Sequence, residues 1–444
     1  MEAITQFLQG FVDLGASIML PVIIFVFAII LKIKPGKAFT AGLTVGIGFV
    51  GLNLVIGLLT DTVGPAASAM VDKFGLSLQT IDVGWPAASA IAYGTILGAM
   101  AIPVGIIVNL ILLLLGLTRT MNIDIWNFWH IAFSGSIVYM ITNDFALGLF
   151  TMVTHSLLLY FVADVSAKDI EETYGLPNMT FPQGASIAGY ITAKPLAWVF
   201  DRIPGLNHVH LDSDTIQEKI GVLGNNTVIG VIIGLVIGLL AGYDVKETLT
   251  VGVNTGAVMM LMPRMVSLLM EGLTPISERA NELLQNHFPD RDLYIGMDSA
   301  LAVGQSSVLA TSLILVPVTL LLAVILPGNH VLPLGDLATL PFMIALMTAV
   351  FRGDVLRSLL GGIVHVIVSL YIATWAAPYI TQAAQASGFD LKGATSISVL
   401  SDGGAWSTIL FGGLSQWIGW IGVSIVFVVL LFGLYAVNKR KTNV

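Results

Sequence analysis

Long apolar stretches recur from one end of this chain to the other. Examples lie at residues 18–31, 96–117, 228–243, 308–326 and 421–437. A helix that crosses the roughly 30 Å hydrocarbon core of a bilayer uses about 20 such residues. Only 10% of the 444 residues are charged, whereas a soluble protein has about 25%. The sequence therefore predicts an all-α integral membrane protein.

Missing residue types exclude several classes of function. The chain contains no cysteine, which excludes disulfides, thiolate catalysis, iron–sulfur clusters and cysteine-based zinc sites. Its seven histidines show no HExxH-type spacing, and there is no GxxxxGK[ST] phosphate loop. An ATP-driven pump and a zinc hydrolase are disfavoured, and we expect no cofactor, no metal site and no nucleic-acid partner.

The basic residues predict the orientation of the chain, because cytoplasmic loops are enriched in Lys and Arg. Three lysines lie at 32–37 and a Lys-Arg-Lys run lies at 439–441, whereas residues 1–15 contain no basic residue. An external N-terminus and a cytoplasmic C-terminus require an odd number of spans, and about eleven give the best partition. The predicted spans are 15–32, 40–60, 97–117, 125–143, 145–165, 227–243, 250–270, 308–327, 338–351, 358–376 and 421–437.

An internal repeat at an offset of about 210 residues divides the chain into two halves. Matches in the same order along both halves include Pro65 with Pro275, Asp124 with Asp336, and His155 with His365. The first half contains five spans, an odd number, so the second copy starts on the opposite side of the membrane. We predict a first inverted repeat at 1–205, a cytoplasmic linker at 206–226 and a second inverted repeat at 227–444. Inverted repeats are typical of alternating-access transporters that bind substrate near the bilayer midplane.

Two pairs of interrupted apolar stretches are too short to cross the bilayer. One pair is 85–96 and 296–307, and the other is 181–204 and 401–420. All four are rich in glycine and small residues, with a polar cluster at one end. Irregular backbone at membrane depth is tolerated only where it is buried in protein or lines a wet cavity. We therefore predict paired re-entrant hairpins whose tips face a central polar site, with ordinary extramembrane loops as the alternative.

Ionisable residues in these apolar segments mark a candidate binding site. A charge at the bilayer centre costs about 2.5–3.5 kcal/mol on insertion scales, so its presence there indicates function. Asp298 in the stretch 296–307 is the strongest candidate, and a hairpin cap is its alternative role. Gln183 and Asp402 open the second pair of stretches and offer amide and carboxylate groups to hydroxyls.

A second cluster of candidates lies on the predicted span 125–143. Trp126 and His130 are four residues apart and share a helix face, with Asn127 on the same side as His130. An indole beside imidazole and amide groups suits a polyol, whose C–H face stacks while its hydroxyls hydrogen-bond. An interfacial aromatic belt is the competing interpretation of the tryptophans. The repeat mates His155 and His365 are interpreted as mainly structural.

Several longer motifs, taken together, resemble the membrane subunit (enzyme IIC) of the galactitol phosphotransferase system over essentially the whole chain. The motifs that carry the resemblance are Val83-Gly84-Trp85-Pro86, Asp124-Ile125-Trp126-Asn127, Trp129-His130, Ala241-Gly242-Tyr243-Asp244-Val245-Lys246, Leu261-Met262-Pro263-Arg264, Gly272-Leu273-Thr274-Pro275-Ile276, Leu326-Pro327-Gly328-Asn329 and Val331-Leu332-Pro333.

The resemblance implies a sugar-alcohol permease of the ascorbate–galactitol superfamily in a bacterial cytoplasmic (inner) membrane. That fold has eleven spans in a core domain and a V-shaped dimerisation domain, in contact with lipid and usually in a homodimer. Transport is expected to be elevator-like. Phosphate passes from phosphoenolpyruvate through IIA to a phosphocysteine on IIB and then to the sugar. Because this chain has no cysteine, IIB must be a separate polypeptide, and the chain is not expected to be an enzyme by itself.

By the superfamily's pattern, the pocket involves the hairpin tips and the span that holds His130. Gln183 stands where a histidine is expected in galactitol members, and Gln305 is a similar departure, so galactitol and a pentitol such as arabitol both remain open. A proton- or sodium-coupled carrier, with Asp298 and His130 as titrating groups, is the alternative function. The predicted substrate-binding residues are Trp85, Ser89, Trp126, Asn127, His130, Gln183, Gly184, Asp298, Gln305 and Asp402.

Overall fold

The computed structural model describes residues 16–73, 78–204, 211, 226–287, 293–389, 391 and 394–439, most of them in α-helices. The predicted linker at 206–226 lies outside the described residues except at Leu211 and Asn226. Leu211 is fixed by two hydrogen bonds to the start of a later helix, from Val355 N to its carbonyl (2.8 Å) and from its N–H to Asp354 Oδ2 (3.1 Å).

The first half of the chain alternates long helices with very short strands. A 3₁₀ turn at Gly98–Met100 precedes α4, and another at Ile125–Phe128 precedes α5. The elements are α1 (Ala16–Ile30), α2 (Pro35–Lys73), β1 (Thr80–Asp82), α3 (Gly84–Gly94), α4 (Ala101–Leu114), β2 (Thr120–Asn122), α5 (Trp129–Thr142), α6 (Phe145–Tyr174), β3 (Met179–Thr180) and α7 (Gly184–Phe200).

The second half follows the same alternation. A 3₁₀ turn at Leu337–Thr339 precedes α12, and a π-helical segment at Ile409–Gly413 separates α14 from α15. The elements are α8 (Asn226–Ala241), α9 (Val245–His287), β4 (Tyr294–Gly296), α10 (Ala300–Val303), α11 (Ser306–Ile325), β5 (Val331–Leu332), α12 (Leu340–Val350), α13 (Val355–Ala386), β6 (Ser396–Ser398), α14 (Trp406–Thr408), α15 (Leu414–Ile418) and α16 (Trp420–Lys439).

Local side-chain chemistry sets the ends of the central helices. Asp144 begins α6 as its N-cap and accepts a hydrogen bond from Leu147 N (3.0 Å), and Gly175 ends that helix with φ +64°. An N-cap carboxylate satisfies an otherwise unpaired helix N–H, and a glycine after the last turn adopts the left-handed conformation without strain. Asp354 caps α13 in the same way through Arg357 N (2.8 Å).

Membrane-crossing capacity is clear for a subset of the described helices. By length and hydropathy, α6, α11, α13 and α16 could each span a bilayer, and the α3–α4 pair, bent by 85°, passes the same test as one unit. The helix α16 leaves large apolar side chains such as Ile421 and Phe432 exposed, as lipid contact permits. The chain is therefore a multi-helix membrane protein, and the count of about eleven spans stays a prediction.

The short strands assemble into two three-stranded parallel sheets that join the halves. In sheet 1 the order is β5-β1-β6, and in sheet 2 it is β2-β4-β3. Each sheet thus has a central strand from one half and two outer strands from the other. The register places Thr80 opposite both Val331 and Ser396, and Met121 opposite Ile295.

Two cationic side chains also link the halves in a reciprocal way. Lys73, at the end of α2, donates to Leu240 O (3.1 Å) at the end of α8. Arg279 on α9 donates from Nε to Leu31 O (3.2 Å), just past the end of α1. Cations near a helix C-terminus pair with its free carbonyls and with the helix dipole. Each half therefore caps the first helix of the other.

The four interrupted stretches adopt different local structures. The stretch 85–96 contains most of α3, and 296–307 contains the one-turn helix α10. The stretch 181–204 contains the 17-residue α7, whereas 401–420 is broken into α14, the π-helical segment and α15. Each stretch directly follows a strand, so sheets 1 and 2 fix where these polar segments enter the protein interior. Their re-entrant character stays a prediction.

Candidate binding site

The three segments that leave sheet 2 bring four polar side chains into the interior. The chain runs from β2 to Asp124 and Asn127, from β3 to Gln183, and from β4 to Asp298. Parallel strands point their carboxyl ends in one direction, so the residues that follow them meet at one edge of the sheet. Asp124, Asn127 and Gln183 are almost fully buried. The sheet therefore gathers side chains that are more than 170 residues apart in the chain.

Asn127 lies between two carboxylates. Its Nδ2 group donates to Asp124 Oδ2 (3.1 Å) and to Asp298 Oδ2 (2.9 Å). The other oxygen of Asp298, Oδ1, accepts from Ala300 N (2.7 Å) at the start of α10. Asp298 therefore caps the short helix and also contacts a second candidate residue, whereas its part in substrate binding stays a prediction.

His130 and Asp402 form a buried hydrogen-bonding contact between the halves. The distance from His130 Nδ1 to Asp402 Oδ1 is 2.6 Å, with side-chain exposures of 0% and 3%. The imidazole is packed against the ring of Trp129, with centroids 4.0 Å apart. On another side it meets the backbone of Gly184, where an added Cβ would lie 2.8 Å from His130 Cγ and Nδ1. The ring is thus held in one orientation.

Several polar atoms on this pair and on the segments that follow the strands are buried without a partner among the described residues. They are His130 Nε2, Asp402 Oδ2, Ser401 Oγ and Ser299 Oγ. A buried polar group that lacks a hydrogen bond costs about 1–3 kcal/mol, and such groups are rare in folded proteins. These four atoms lie on segments that follow strands of sheets 1 and 2, and their hydrogen-bonding capacity is unused within the described part of the chain.

A second carboxylate cluster lies at the end of sheet 1, and sequence reasoning did not assign it to a site. Asp82 accepts from the backbone N–H groups of Gly84 (3.1 Å), Leu400 (3.2 Å) and Asp336 (2.8 Å). Asp336 accepts from Trp85 N (2.8 Å), and from Ser401 N and Thr339 Oγ1. These bonds tie together the segments that leave β1, β5 and β6. The match of Asp124 with Asp336 in the repeat was the available signal.

Trp85 contacts this second cluster, and Ser89 bonds within α3, the helix that contains both residues. The backbone N–H of Trp85 donates to Asp336, and Ser89 Oγ donates to Pro86 O (3.0 Å). Among the described residues, their polar contacts are therefore not with the His130–Asp402 pair. The connection is indirect, because Asp336 also fixes Ser401, the neighbour of Asp402.

The remaining candidates occupy different positions. Gln183 is the N-cap of α7, and its Oε1 accepts from Ser186 N and Oγ (both 2.7 Å). A substrate contact from Gln183 would therefore come from its amide NH₂ group. Gln305 precedes α11 without a side-chain cap. The backbone of Trp126 lies in a 3₁₀ turn, whereas its side chain lies outside the described part of the chain.

The two repeat-mate histidines have hydroxyl partners instead of a carboxylate. His155 Nδ1 pairs with Ser134 Oγ, and its ring lies against Phe411. His365 Nδ1 pairs with Thr192 Oγ1 (3.0 Å), which also accepts from Trp406 Nε1 (2.9 Å). Each of these rings contacts a segment of the opposite half, which agrees with the mainly structural role expected for them. Within the described ranges, no three His, Asp or Glu side chains are grouped so as to hold a metal ion.

Comparison with known proteins identifies the family to which the chain belongs. The profile of the EIIC-GAT family, described as the sugar-specific permease component of the phosphotransferase system (PTS), matches residues 10–394. The chain belongs to this family. The resemblance carried by the sequence motifs is thereby confirmed, and the coupled-carrier alternative is not supported.

Two relatives place this EIIC-GAT permease more closely. The PTS system galactitol-specific EIIC component of Escherichia coli strain K12 is 40% identical over 401 residues, covering 90% of this chain and 89% of that protein. The component of the same name in Escherichia coli O157:H7 shows the same identity and coverage.

Proposed function

We propose that this EIIC-GAT permease carries a sugar alcohol of the galactitol type and binds it between His130, Asp402, Asn127 and Asp298. The observation that carries the proposal is the set of unpartnered, buried polar atoms on His130, Asp402, Ser401 and Ser299. Every hydroxyl of a polyol both donates and accepts a hydrogen bond. The two Escherichia coli relatives are galactitol-specific EIIC components of the PTS, which supports this substrate class.

The chemistry of the site divides the substrate contacts by type. Asp402 Oδ2 accepts a hydrogen bond from one polyol hydroxyl, and His130 Nε2 accepts from a second. The hydroxyls of Ser299 and Ser401 can each donate or accept. The ring of Trp129, packed at a tilt against His130, is proposed to limit the site on an apolar side, and Trp126 is proposed to stack on the C–H face of the polyol. Gly184 leaves room for the imidazole. Trp85, Ser89, Gln183 and Gln305 are proposed to shape the surrounding walls.

A separate partner supplies the phosphoryl group. The chain has no cysteine, so it has no residue to carry the phosphocysteine that passes phosphate to sugar in this system. We infer that a phosphorylated IIB subunit, charged through IIA, docks on the cytoplasmic side and phosphorylates the polyol as it emerges. The chain itself is then a transport subunit that needs no cofactor.

An inverted repeat of 1–205 and 227–444 explains how the halves are joined. The exchange of strands in sheets 1 and 2 is reciprocal, and so are the cation contacts of Lys73 and Arg279. Reciprocal contacts of this kind support a pseudo-two-fold axis in the membrane plane. About eleven spans, with re-entrant hairpins at the four interrupted stretches, fit this arrangement.

The proposed orientation agrees with the sheets. All three strands of sheet 1 lie in segments assigned to the outside, and all three of sheet 2 lie in segments assigned to the cytoplasm. We propose a multi-pass protein of the bacterial inner membrane with an external N-terminus and a cytoplasmic C-terminus. The helices α1, α2, α8 and α9 pack mainly on one another, which supports a V-shaped dimerisation domain beside an elevator-like core.

Uptake of a polyol coupled to its phosphorylation tests this function. Right-side-out vesicles that contain the permease are loaded with phosphoenolpyruvate and the soluble phosphotransfer proteins, and labelled galactitol or arabitol is added outside. We expect the label to accumulate inside as polyol phosphate, only when phosphorylated IIB is present. Vesicles without IIB are the matched control. Free polyol accumulating on an ion gradient, with no requirement for IIB, would overturn the proposal.

A further inference from the structure

The contact between His130 and Asp402 determines which ring nitrogen of the histidine carries a proton. An ionised carboxylate oxygen only accepts hydrogen bonds, so Nδ1 at 2.6 Å from Asp402 Oδ1 is the protonated nitrogen. In the neutral imidazole, Nε2 is then a free acceptor. That atom is buried and has no partner among the described residues. The geometry is that of a histidine oriented by a carboxylate to take a proton from a hydroxyl.

We propose that His130 is the general base of phosphoryl transfer to the polyol, and that Asp402 positions it. The proposal rests on the function proposed above, since it requires a polyol in this site and a phosphothiol on the partner. A polyol hydroxyl bonded to His130 Nε2 becomes the nucleophile. The same contact that holds the substrate thereby prepares it for the reaction.

The step balances in atoms and electrons. The polyol oxygen forms a bond to the phosphorus of the partner's phosphocysteine, and the phosphorus–sulfur bond breaks with its electron pair leaving on the thiolate. The hydroxyl proton moves to His130 Nε2. The resulting imidazolium is stabilised by the Asp402 carboxylate at 2.6 Å, as a buried charge requires a close counter-charge. The proton leaves to water once the phosphorylated product has departed.

Other ionisable groups near the site are less suited to this role. Both oxygens of Asp298 accept hydrogen bonds, from Ala300 N and from Asn127. His155 and His365 have serine and threonine hydroxyls at Nδ1 in place of a carboxylate. Among the described residues, the combination of an orienting carboxylate and an unpartnered Nε2 occurs at His130.

The test separates binding from chemistry with His130→Gln. The glutamine amide group reaches the position of Nε2 and still hydrogen-bonds a hydroxyl, because its NH₂ group donates to the hydroxyl oxygen and its Oε1 accepts from the O–H, but it does not take up a proton at neutral pH. We expect the Kd for polyol, measured by calorimetry on the purified full chain, to change by less than about fivefold. The rate of polyol phosphate formation at saturating polyol, with phosphorylated IIB, should fall by about 10²–10⁴-fold. Exposed His330 provides the control variant His330→Gln, which should match the wild type in both measurements.

Each outcome decides the proposal. A wild-type rate for His130→Gln at saturating polyol, whether or not affinity falls, overturns the base assignment and leaves His130 as a binding residue. Should that variant fail to fold, Asp402→Asn replaces it, because the amide oxygen still accepts from Nδ1 while the charge is lost. Its rate should fall at least tenfold, and an unchanged rate also overturns the proposal. Absence of polyol binding and phosphorylation in the wild type contradicts the proposed function itself.

Discussion

His130 Nδ1 and Asp402 Oδ1 are 2.6 Å apart, although 272 residues separate the two in the chain. His130 lies in the first turn of α5, on the segment that leaves sheet 2, and Asp402 lies on the segment that leaves sheet 1. The pair therefore forms where the segments that leave sheet 1 and sheet 2 meet. A change in how the halves fit together acts directly on this contact.

Removal of the carboxylate is expected to weaken binding and folding together. In Asp402→Ala, a polyol hydroxyl loses its hydrogen bond to the Oδ2 atom of the carboxylate. A hydrogen bond to a charged group contributes about 1.5–3 kcal/mol. Polyol affinity should fall roughly 10- to 100-fold, measured by calorimetric titration. His130 Nδ1 also loses its partner, so the thermal midpoint should fall. Asp402→Asn is the matched control and should lose less stability; equal losses in the two variants would contradict the hydrogen-bond explanation.

A single added methyl group at Gly184 is expected to displace the imidazole. The new Cβ would lie 2.8 Å from His130 Cγ and Nδ1, closer than carbon atoms pack, and the ring is held on its other sides by Asp402 and Trp129. In Gly184→Ala, we expect polyol affinity to fall at least tenfold while the protein still elutes as one species. Gly57→Ala is the control, because a Cβ there meets nothing within 4 Å. Wild-type affinity in Gly184→Ala would show that the ring orientation is not needed.

Helix positions were the part of this fold that the sequence predicted well. The predicted span 145–165 begins where α6 begins, because Asp144 is an N-cap and apolar residues follow it. The helix continues to Tyr174, beyond the predicted end. The prediction stopped early because the last residues are polar and hydropathy detects only the part of a helix that lipid or protein core surrounds. The strands were not predicted. Runs of two or three residues carry no periodicity, and Thr80 pairs with Val331 far along the chain.

Site residues were predictable as types but not as partners. Asp298 and His130 attracted notice because charge is costly in an apolar segment, yet no spacing rule connects His130 with Asp402. The repeat gave partial information. Asp336 bonds Thr339 as Asp124 bonds Asn127, three residues on in each case. The other hydrogen bonds to Asp336 come from backbone N–H groups. The similar motifs therefore hold backbone segments together in the second half and form side-chain contacts in the first.

The cap of α6 is expected to make stability depend on pH in the acidic range. Asp144 accepts from Leu147 N and, at 2.7 Å, from Trp420 Nε1, and these bonds hold its pKa below the ordinary value. A carboxylate with a lowered folded pKa contributes stability above its unfolded pKa of about 3.9, and that contribution is lost as pH falls through the lower folded value. The difference in thermal midpoint between wild type and Asp144→Asn should be largest near neutral pH and shrink below about pH 4. A difference that is constant with pH would exclude this linkage.

Labelling of single introduced cysteines tests the orientation, and no native cysteine has to be removed first because the chain contains none. Gln79, exposed next to sheet 1, and Glu171, exposed near the end of α6 on the side of sheet 2, are predicted to lie on opposite sides of the membrane. In intact cells, a membrane-impermeant maleimide should label Gln79→Cys and not Glu171→Cys, and permeabilisation should expose the second. Ser166→Cys, buried on the same helix as Glu171, should stay unlabelled throughout. Labelling of both exposed sites from outside would mean that sheets 1 and 2 share one side, which is incompatible with an inverted repeat.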